Sequence, residues 1–301
     1  MKCRICGDLA EIKLLAHNIA MCRSHFIAFF LRRLERTIRR YALFTPEQHV
    51  LVAVSGGKDS LALLHALNRL DYRVSGFYLD LGIAPVAEQV KGVIEGFSRE
   101  QGIVIHTQAL RDLFGAALPE IVGTLRRPAC SICGRVKRYY MNRFAQEYDA
   151  LATGHNLDDE AAKLLSNLMN WQTGYLHKQN IVLQQRQTMQ RKVKPLAFIS
   201  EYETAAYAFF TGIQSVDTAC PLARGNKLLQ IKQAVNRIER QSPGSKIRFL
   251  KGFYQHKKIF TEDMDVVLLP CSNCGFLTSA GLCSLCRLKQ QWLDSAAKGA
   301  L

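Results

Sequence analysis

The chain has 301 residues, and 48% of them are hydrophobic, which suits one large globular domain with small appendages. Its 40 Lys and Arg residues exceed its 25 Asp and Glu residues by 15, and this excess favours a polyanionic partner such as RNA. A secretory signal or a membrane span is not expected, because cationic side chains interrupt the apolar stretch from Ile19 to Leu34. We therefore predict a cytoplasmic protein without a membrane partner.

The first predicted element is a metal-binding knuckle. Its candidate ligands are Cys3, Cys6, Cys22 and His25. Two residues separate the members of each pair, so one tight turn presents both ligands to one ion, and Gly7 relieves the first turn. A closed set of sulfur and nitrogen ligands predicts a structural zinc site rather than a catalytic one. His17 competes with His25 for the fourth position.

A basic helix is predicted next, from Phe26 to Leu43. Apolar residues recur there at helical spacing, at Ile27, Phe30, Leu31, Leu34, Ile38 and Tyr41. Arginines occupy much of the remaining surface, at Arg32, Arg33, Arg36, Arg39 and Arg40. Two interpretations stay open for them: a solvated face of an amphipathic helix, or a stripe that contacts RNA phosphates.

A glycine-rich loop follows the apolar run Val50–Val54. It consists of Ser55, Gly56, Gly57, Lys58, Asp59 and Ser60, and a helical pattern comes directly after it. Backbone amides in such a turn, together with a helix N-terminus, form a cradle for phosphate. The loop is not a Walker A motif, because an aspartate follows its lysine and Val52 stands where the first glycine would be.

Strands and helices alternate over residues 48–215. The predicted strands are His49–Val54, Arg73–Leu79, Ile103–Thr107, Ala150–Thr153 and Val193–Ile199. Such alternation predicts an α/β fold with a mostly parallel sheet and helices on both faces. Ligands bind beyond the carboxyl ends of such strands, where the loop 55–60, Asp80 and the segment 153–159 are expected.

Three cysteines remain outside the knuckles: Cys130, Cys133 and Cys220. Three thiolates are too few for a closed zinc site. They suit a [4Fe–4S] cluster with one open iron or a redox-active persulfide site, and the spacing alone does not choose between them. The less informative alternative is three buried free thiols.

A second motif follows the strand 150–153. It reads Thr153, Gly154, His155, Asn156, Leu157, Asp158, Asp159 and Glu160. Three consecutive carboxylates repel one another unless cations compensate them, and the expected partners are Mg²⁺ on bound phosphates, Lys58 or Lys137. Lys163 is a further candidate for pairing with Asp159. Acidic capping of a helix N-terminus is the alternative.

The C-terminal region contains a second knuckle. Its candidate ligands are Cys271, Cys274, Cys283 and Cys286. Zinc is predicted for both knuckles, because a reducing compartment disfavours disulfides. The chain is thus divided into an N-terminal zinc knuckle (1–26), a basic linker helix (27–47), an α/β domain that contains the glycine-rich loop (48–220), a basic helical region (221–265) and a C-terminal zinc knuckle (266–290).

These motifs together resemble the TtuA-like tRNA 2-thiouridine synthetase family of the PP-loop ATP pyrophosphatase superfamily. The resemblance extends from Cys3 to Cys286. It implies that Ala53, Val54, Ser55, Gly57, Asp59 and Ser60, with Gly56 and Lys58 of the same loop, bind ATP and its pyrophosphate. Leu79 and Asp80 would lie beside the nucleoside, and Gly154 would back the adenylate. Lys137 and Asp159, which also contacts the nucleotide, would form the polar catalytic pair. Cys130, Cys133 and Cys220 would hold the cluster, with Cys130 and Cys220 counted as catalytic.

The function implied by the resemblance is tRNA uridine 2-sulfurtransfer. ATP and Mg²⁺ would adenylate a uridine, and sulfur would then replace its C2 oxygen with the help of a [4Fe–4S] cluster. The Cys22-x2-His25 form resembles the group that modifies the T-loop uridine at position 54. A sulfur-donor protein, such as one with a ubiquitin-like thiocarboxylate, and a homodimer are implied as well. The alternatives are a wobble-uridine thiolase that uses a persulfide, an ATP-dependent ligase or amidase, and a zinc-knuckle RNA-binding protein with an inactive loop.

Overall fold

A central sheet with helices on both faces dominates the fold. The computed structural model describes residues 1–218, 220–222, 227–260 and 267–299. The strands are β1 (Ile12–Leu14), β2 (Ile19–Met21), β3 (Val50–Val54), β4 (Val74–Asp80), β5 (Ile105–Ala109), β6 (Ala150–Thr153), β7 (Val182–Leu183), β8 (Lys192–Val193), β9 (Leu269–Pro270) and β10 (Leu277–Thr278). The α-helices are α1 (Arg23–Arg40), α2 (Lys58–Arg69), α3 (Val86–Gln101), α4 (Leu110–Phe114), α5 (Leu118–Leu125), α6 (Ala129–Phe144), α7 (Leu157–Met169), α8 (Thr173–Lys178), α9 (Glu201–Thr211), α10 (Lys227–Gln241), α11 (Ser245–His256) and α12 (Ser284–Gly299). Short 3-10 helices cover Leu15–His17, Ala145–Glu147 and Lys257–Phe260.

The order of the six strands in the main sheet is β5-β4-β3-β6-β8-β7. All neighbouring pairs are parallel except β7 and β8, which form an antiparallel edge. The chain runs outward from β3 through β5 and then resumes at β6 on the other side of β3. The loops that follow β3 and β6 therefore diverge at one edge of the sheet, where α/β folds bind ligands. The predicted fold class is confirmed.

Successive side chains of the central strands pack into two separate hydrophobic cores, one on each face of the sheet. Val50, Val52 and Val54 pack on the face covered by α1, α2, α7 and α9, and the N-terminal knuckle joins the same core. Leu51 and Ala53 pack on the opposite face, together with α5, α6 and the C-terminal knuckle. The two cysteine-rich ends of the chain thus cover opposite faces of one sheet.

Two predicted elements differ most from the structure. The strand predicted at Val193–Ile199 is a two-residue strand followed by a turn, because Pro195 cannot donate to a sheet ladder. Residues 196–199 are nonetheless buried, which explains their apolar character. Helix α1 begins before the predicted start at Phe26, and its apolar face is part of the main core.

The predicted division into five regions remains a prediction. Helix α1 crosses its first boundary, between residues 26 and 27. The boundary between residues 265 and 266 lies outside the described residues. Among the described helices, none has the length and apolar character that crossing a bilayer requires.

Candidate functional site

A cavity of about 480 Å³ opens at the carboxyl ends of β3 and β4. Eight of the residues singled out from the sequence line it: Ser55, Gly57, Leu79, Asp80, Cys130, Cys133, Lys137 and Cys220. Segments that are far apart in the chain therefore share one space. The cavity joins the phosphate loop to all three cysteines that lie outside the knuckles.

The phosphate loop is held by internal hydrogen bonds and leads directly into α2. The amide of Ser55 donates to Ser60 Oγ at 3.1 Å, and that hydroxyl donates to the carbonyl of Gly57 at 2.9 Å. Gly57 is the N-cap of α2, and among the described residues no side chain forms a capping hydrogen bond at this end of the helix. The first-turn amides of α2 thus keep their hydrogen-bonding capacity for an anion.

Two glycines are required by close approach. Gly56 has φ +77°, and a Cβ atom there would lie 2.6 Å from a methyl group of Val90. A Cβ atom on Gly154 would lie 3.0 Å from the backbone nitrogen of Ser60. The second motif therefore packs directly against the first turn of α2, with no room for a methyl group between them.

Asn156 connects the same two motifs, and sequence reasoning gave it no role. Its Nδ2 donates to Asp59 Oδ1 at 3.2 Å, and its Oδ1 accepts from the amide of Asp159 at 3.1 Å. The amide of Asn156 in turn donates to Asp159 Oδ2 at 3.3 Å, which completes a capping box at the start of α7. The spacing of Asn156 and Asp159 is the sequence signal that could have identified this pair.

The three consecutive carboxylates each pair with a lysine, but not with the lysines that were expected. Asp158 pairs with Lys246 at 2.6 Å, Asp159 with Lys232 at 2.8 Å, and Glu160 with Lys194 at 2.7 Å. The lysines expected as partners were Lys58, Lys137 and Lys163, and that expectation was wrong, whereas Mg²⁺ as a further partner remains a prediction. The observed partners lie on α10, on α11 and directly after β8, so these three ion pairs join residues that are far apart in sequence.

Lys58 and Lys232 converge on Glu201 at the start of α9. Lys58 Nζ lies 2.8 Å from Glu201 Oε1, and Lys232 Nζ lies 2.9 Å from Oε2. Burial opposes the charge of Lys58, but its bond to Glu201 and the charge of Asp59 prevail and raise its pKa. The pKa of Lys232 is raised as well, because Asp159 and Glu201 outweigh its burial. Both lysines are therefore cationic beside the phosphate loop at neutral pH.

The predicted catalytic pair lies in two different settings. Lys137 lines the cavity near the cysteines, whereas Asp159 is held by Lys232 and is not part of the cavity wall. Ala53 and Val54 lie in the buried strand β3 just before the loop. The roles assigned to these residues remain predictions.

The cysteine trio surrounds one side of the cavity. Cys130 and Cys133 lie in the first turns of α6, with Lys137 one turn later on the same helix. Cys130 and Cys220 are exposed, and Cys133 is half-buried. Burial raises the pKa of the Cys133 thiol, the nearby Lys137 opposes that effect, and charge on Cys220 or Cys130 would add to it. The three thiols are close enough to interact electrostatically and open enough to reach a ligand.

The terminal knuckles are compact in comparison. The ligand atoms of Cys3, Cys6, Cys22 and His25 all lie within 4.8 Å of one another, and so do those of Cys271, Cys274, Cys283 and Cys286. Cys22 Sγ lies 3.1 Å from His25 Nδ1, whereas His17 contacts Glu203, which removes it as a competing ligand. Both sets have the ligand types and the closeness that a single tetrahedral metal ion requires.

Known proteins resemble this chain over most of its length. Residues 30–218 match the family model of a PP-loop domain. The chain is 40% identical to tRNA-5-methyluridine(54) 2-sulfurtransferase of Thermus thermophilus, over 96% of this chain and 91% of that protein. It is 38% identical to the protein of the same name from Pyrococcus horikoshii, over 95% and 93%.

A solved structure is also similar, that of the U34-tRNA thiolase NcsA from Methanococcus maripaludis with its [4Fe-4S] cluster. Its TM-score to this chain is 0.80 at 26% identity, and the match covers 95% of each chain. The fold, the phosphate loop and these relatives lead to one assignment: this chain belongs to the TtuA-like tRNA 2-thiouridine synthetase family of PP-loop proteins.

Proposed function

We propose that this chain is a tRNA uridine 2-sulfurtransferase that uses ATP to replace the C2 oxygen of uridine 54 with sulfur. The observation that carries the proposal is the cavity that joins the phosphate loop, Lys137 and the three cysteines. The names of the Thermus and Pyrococcus relatives support position 54. A ligase or amidase of the same superfamily would need the loop but would have no use for three cysteines facing it.

The first step is adenylation of the uridine. The C2 oxygen attacks the α-phosphorus of ATP, a new P–O bond forms, and the bond to pyrophosphate breaks. The first-turn amides of α2 and the Lys58 ammonium would stabilise the negative charge on the departing pyrophosphate. Mg²⁺ would enter with the nucleotide, and Asp59 is the carboxylate that the loop itself offers.

The second step is substitution at C2. A sulfur nucleophile at the oxidation level of sulfide forms the C2–S bond, and the C2–O bond breaks as AMP leaves with the former uridine oxygen. Sulfur is not oxidised or reduced in this exchange, and its proton is released to solvent. Lys137 would stabilise the negative charge that develops as sulfur adds, because it lies in the same cavity wall as the cysteines.

Cys130, Cys133 and Cys220 would hold a [4Fe–4S] cluster. Three accessible thiols that converge on one cavity fit such a cluster, and the relative from Methanococcus supports it. The group would supply an open iron on which sulfur can be carried. A persulfide on the same cysteines is the alternative. The two knuckles would each hold zinc, which would stabilise the fold without taking part in the reaction.

We propose for this chain the sulfur donor, the assembly and the compartment that the family resemblance implies. A thiocarboxylated donor protein would deliver sulfur, the enzyme would act as a homodimer, and it would work in the cytoplasm. Asp159 would act with Lys137 as the second polar catalytic residue. Its link to Lys232 would keep its carboxylate in place.

The test is anaerobic purification followed by analysis of metals and products. We expect about four irons, about four sulfides and about two zincs per chain. With tRNA, ATP, Mg²⁺ and sulfide, 2-thiouridine should form at position 54, located by mass spectrometry of nuclease fragments. Sulfur at the wobble position would reassign the substrate. Pyrophosphate release without sulfur incorporation would favour a ligase, and zinc without iron after reconstitution would favour the persulfide.

A further inference from the structure

We propose that a groove between α1 and α11 binds the phosphodiester backbone of the tRNA substrate. We call it the basic groove, and its cationic rim consists of Arg32, Arg36, Arg40, Arg248 and Lys251. It has a volume of about 430 Å³. The inference rests on the proposed function and adds the place where the enzyme would bind its RNA.

The charge of the basic groove is not compensated. All five rim residues are exposed, and none forms an ion pair with a described carboxylate. No acidic residue is among the described residues that line the groove. The neighbouring Arg39 differs, because it pairs with Glu35 at 2.5 Å and lies outside the groove. Among the α1 arginines, Arg39 on the outer surface is therefore paired, whereas the three on the groove rim are not paired with a described carboxylate.

Repulsion within the groove indicates that an anion completes it. Arg32, Arg36 and Arg40 follow one another at four-residue intervals on α1, about 6 Å apart along the helix axis. Like charges at this spacing destabilise a helix by a few tenths of a kcal/mol per pair, so the arrangement brings no benefit to folding alone. Successive phosphates of an RNA strand would relieve that repulsion and release their counterions.

At the floor of the groove, the charge is already neutralised by an ion pair. Arg33 donates to Glu203 Oε1 and to the carbonyl of Phe198. His17 Nε2 lies 3.3 Å from the same Glu203 oxygen. Since Arg33 already pairs with this buried carboxylate, the carboxylate does not cancel the field of the rim.

Several rim residues are held in position before any ligand binds. Arg248 donates to the hydroxyls of Ser242 and Ser245 at 3.3 and 3.2 Å, and to the carbonyl of Pro243 at 3.3 Å. The Arg40 guanidinium lies 5.8 Å from the centre of the Tyr41 ring. Fixed cations lose less conformational entropy when they bind, which favours a built site over a merely solvated surface.

The first turn of α9 connects the groove to the phosphate loop. Glu203 on this turn contacts Arg33 in the groove floor, and Glu201 on the same turn contacts Lys58 of the loop. One helix, about 10 Å across, therefore separates the two sites. A strand of a few nucleotides can span that distance, so RNA held in the groove can present a nearby uridine to the cavity.

The test compares two double variants that remove the same charge. R36Q/R248Q neutralises both walls of the groove, whereas R73Q/R99Q neutralises two exposed arginines outside it. Binding of unmodified tRNA transcript to the anaerobically prepared enzyme is measured by fluorescence anisotropy between 50 and 300 mM KCl. We expect R36Q/R248Q to lower the slope of log K against log salt by about 2 and to weaken binding about 10-fold or more at 100 mM. The control variant should keep the wild-type slope.

Failure of the proposed tRNA-binding role of the groove can be distinguished from failure of the proposed function. In thiolation assays R36Q/R248Q should raise KM for tRNA and keep kcat, and the K251Q variant should show half the effect on the slope. The proposal that the basic groove binds tRNA would be overturned if a folded R36Q/R248Q kept the wild-type slope of log K against log salt. Equal losses of tRNA affinity in both double variants would also overturn it. Loss of binding to anionic lipid vesicles without loss of binding to tRNA would also overturn it. Wild-type enzyme that binds tRNA but never thiolates it would instead contradict the proposed function.

Discussion

The terminal knuckles and the cavity cysteines use one residue type in two opposite ways. Each knuckle collects four ligand atoms within 4.8 Å of one another. The trio contributes three thiols to the wall of an open cavity, two of them exposed. A full ligand set leaves a metal no position for chemistry, whereas an incomplete set beside a phosphate loop leaves one. Ligand number and surroundings, rather than the cysteine itself, separate structural support from reaction.

The largest effect is expected from Cys220→Ala, which removes one member of the trio. Thiolation should fall by at least about 1,000-fold, equivalent to about 4 kcal/mol in the barrier, because no other described thiol can take its place. Binding of ATP, measured by calorimetry, should not change. A variant that thiolates tRNA at the wild-type rate would show that the trio is not the reactive group.

The matched change in a knuckle is Cys274→Ala. It should remove one zinc per chain and lower Tm by about 10 °C, because structural zinc supplies folding free energy. Phe276 of this knuckle lies 5.0 Å from the Tyr139 ring on α6, so some activity should be lost through that helix. Loss of iron in place of zinc would mean that the two kinds of cysteine site are not distinct.

Glu203→Gln tests whether the N-terminal knuckle depends on a buried carboxylate that the described residues of the C-terminal knuckle do not contact. Burial opposes the charge of Glu203, but His17, Arg33 and the amide of Ser200 prevail and lower its pKa from 4.5 to about 2. A lowered pKa in the folded state contributes stability above pH 4.5 that is lost as the pH falls toward 2. The variant should therefore lose about 3 kcal/mol of unfolding free energy at pH 7 and about 1 kcal/mol less than that at pH 4.

Urea unfolding at the two pH values measures the effect of Glu203→Gln. His17 lies between the strands of the N-terminal knuckle, so zinc should also leave that knuckle faster when a chelator is added. The C-terminal knuckle on the opposite face serves as the internal control. Equal acceleration at both knuckles would contradict the link through Glu203.

The smallest effect is expected from Lys232→Met, which keeps the volume of the side chain and removes its charge. Asp159 and Glu201 would lose a shared partner, and kcat/KM should fall about 10-fold, or about 1.4 kcal/mol. Lys227→Met on the same helix removes an exposed charge and is the control. If Lys232→Met abolished activity as fully as Cys220→Ala, the lysine would belong to the reaction itself.

Local signals explain what the sequence predicted well. The strand, loop and helix around residues 50–69 follow directly from apolar runs and glycines, and the structure confirms them. Each knuckle was predictable because two-residue gaps bring two ligands together on one turn. The capping box of Ser200 and Glu203 at the start of α9 likewise joins residues that are close in sequence.

Long-range pairing explains what the sequence could not predict. The partners of Asp158 and Asp159 lie 88 and 73 residues further along the chain, and no local pattern marks Lys246 or Lys232 among the many cations. The placement of three α1 arginines on the groove rim also depends on α11, which packs beside them only in the fold. Side-chain partners that come from distant helices require the tertiary structure.

The lysines of α10 and α11 have a consequence for protein synthesis. A nascent chain that ends at residue 218 contains the whole PP-loop match, yet it leaves Asp158 and Asp159 without their lysines. A buried carboxylate that has lost its partner destabilises a protein by several kcal/mol. We therefore expect the nucleotide site to form only after Lys246 has left the ribosome, later than the segment that matches the PP-loop model.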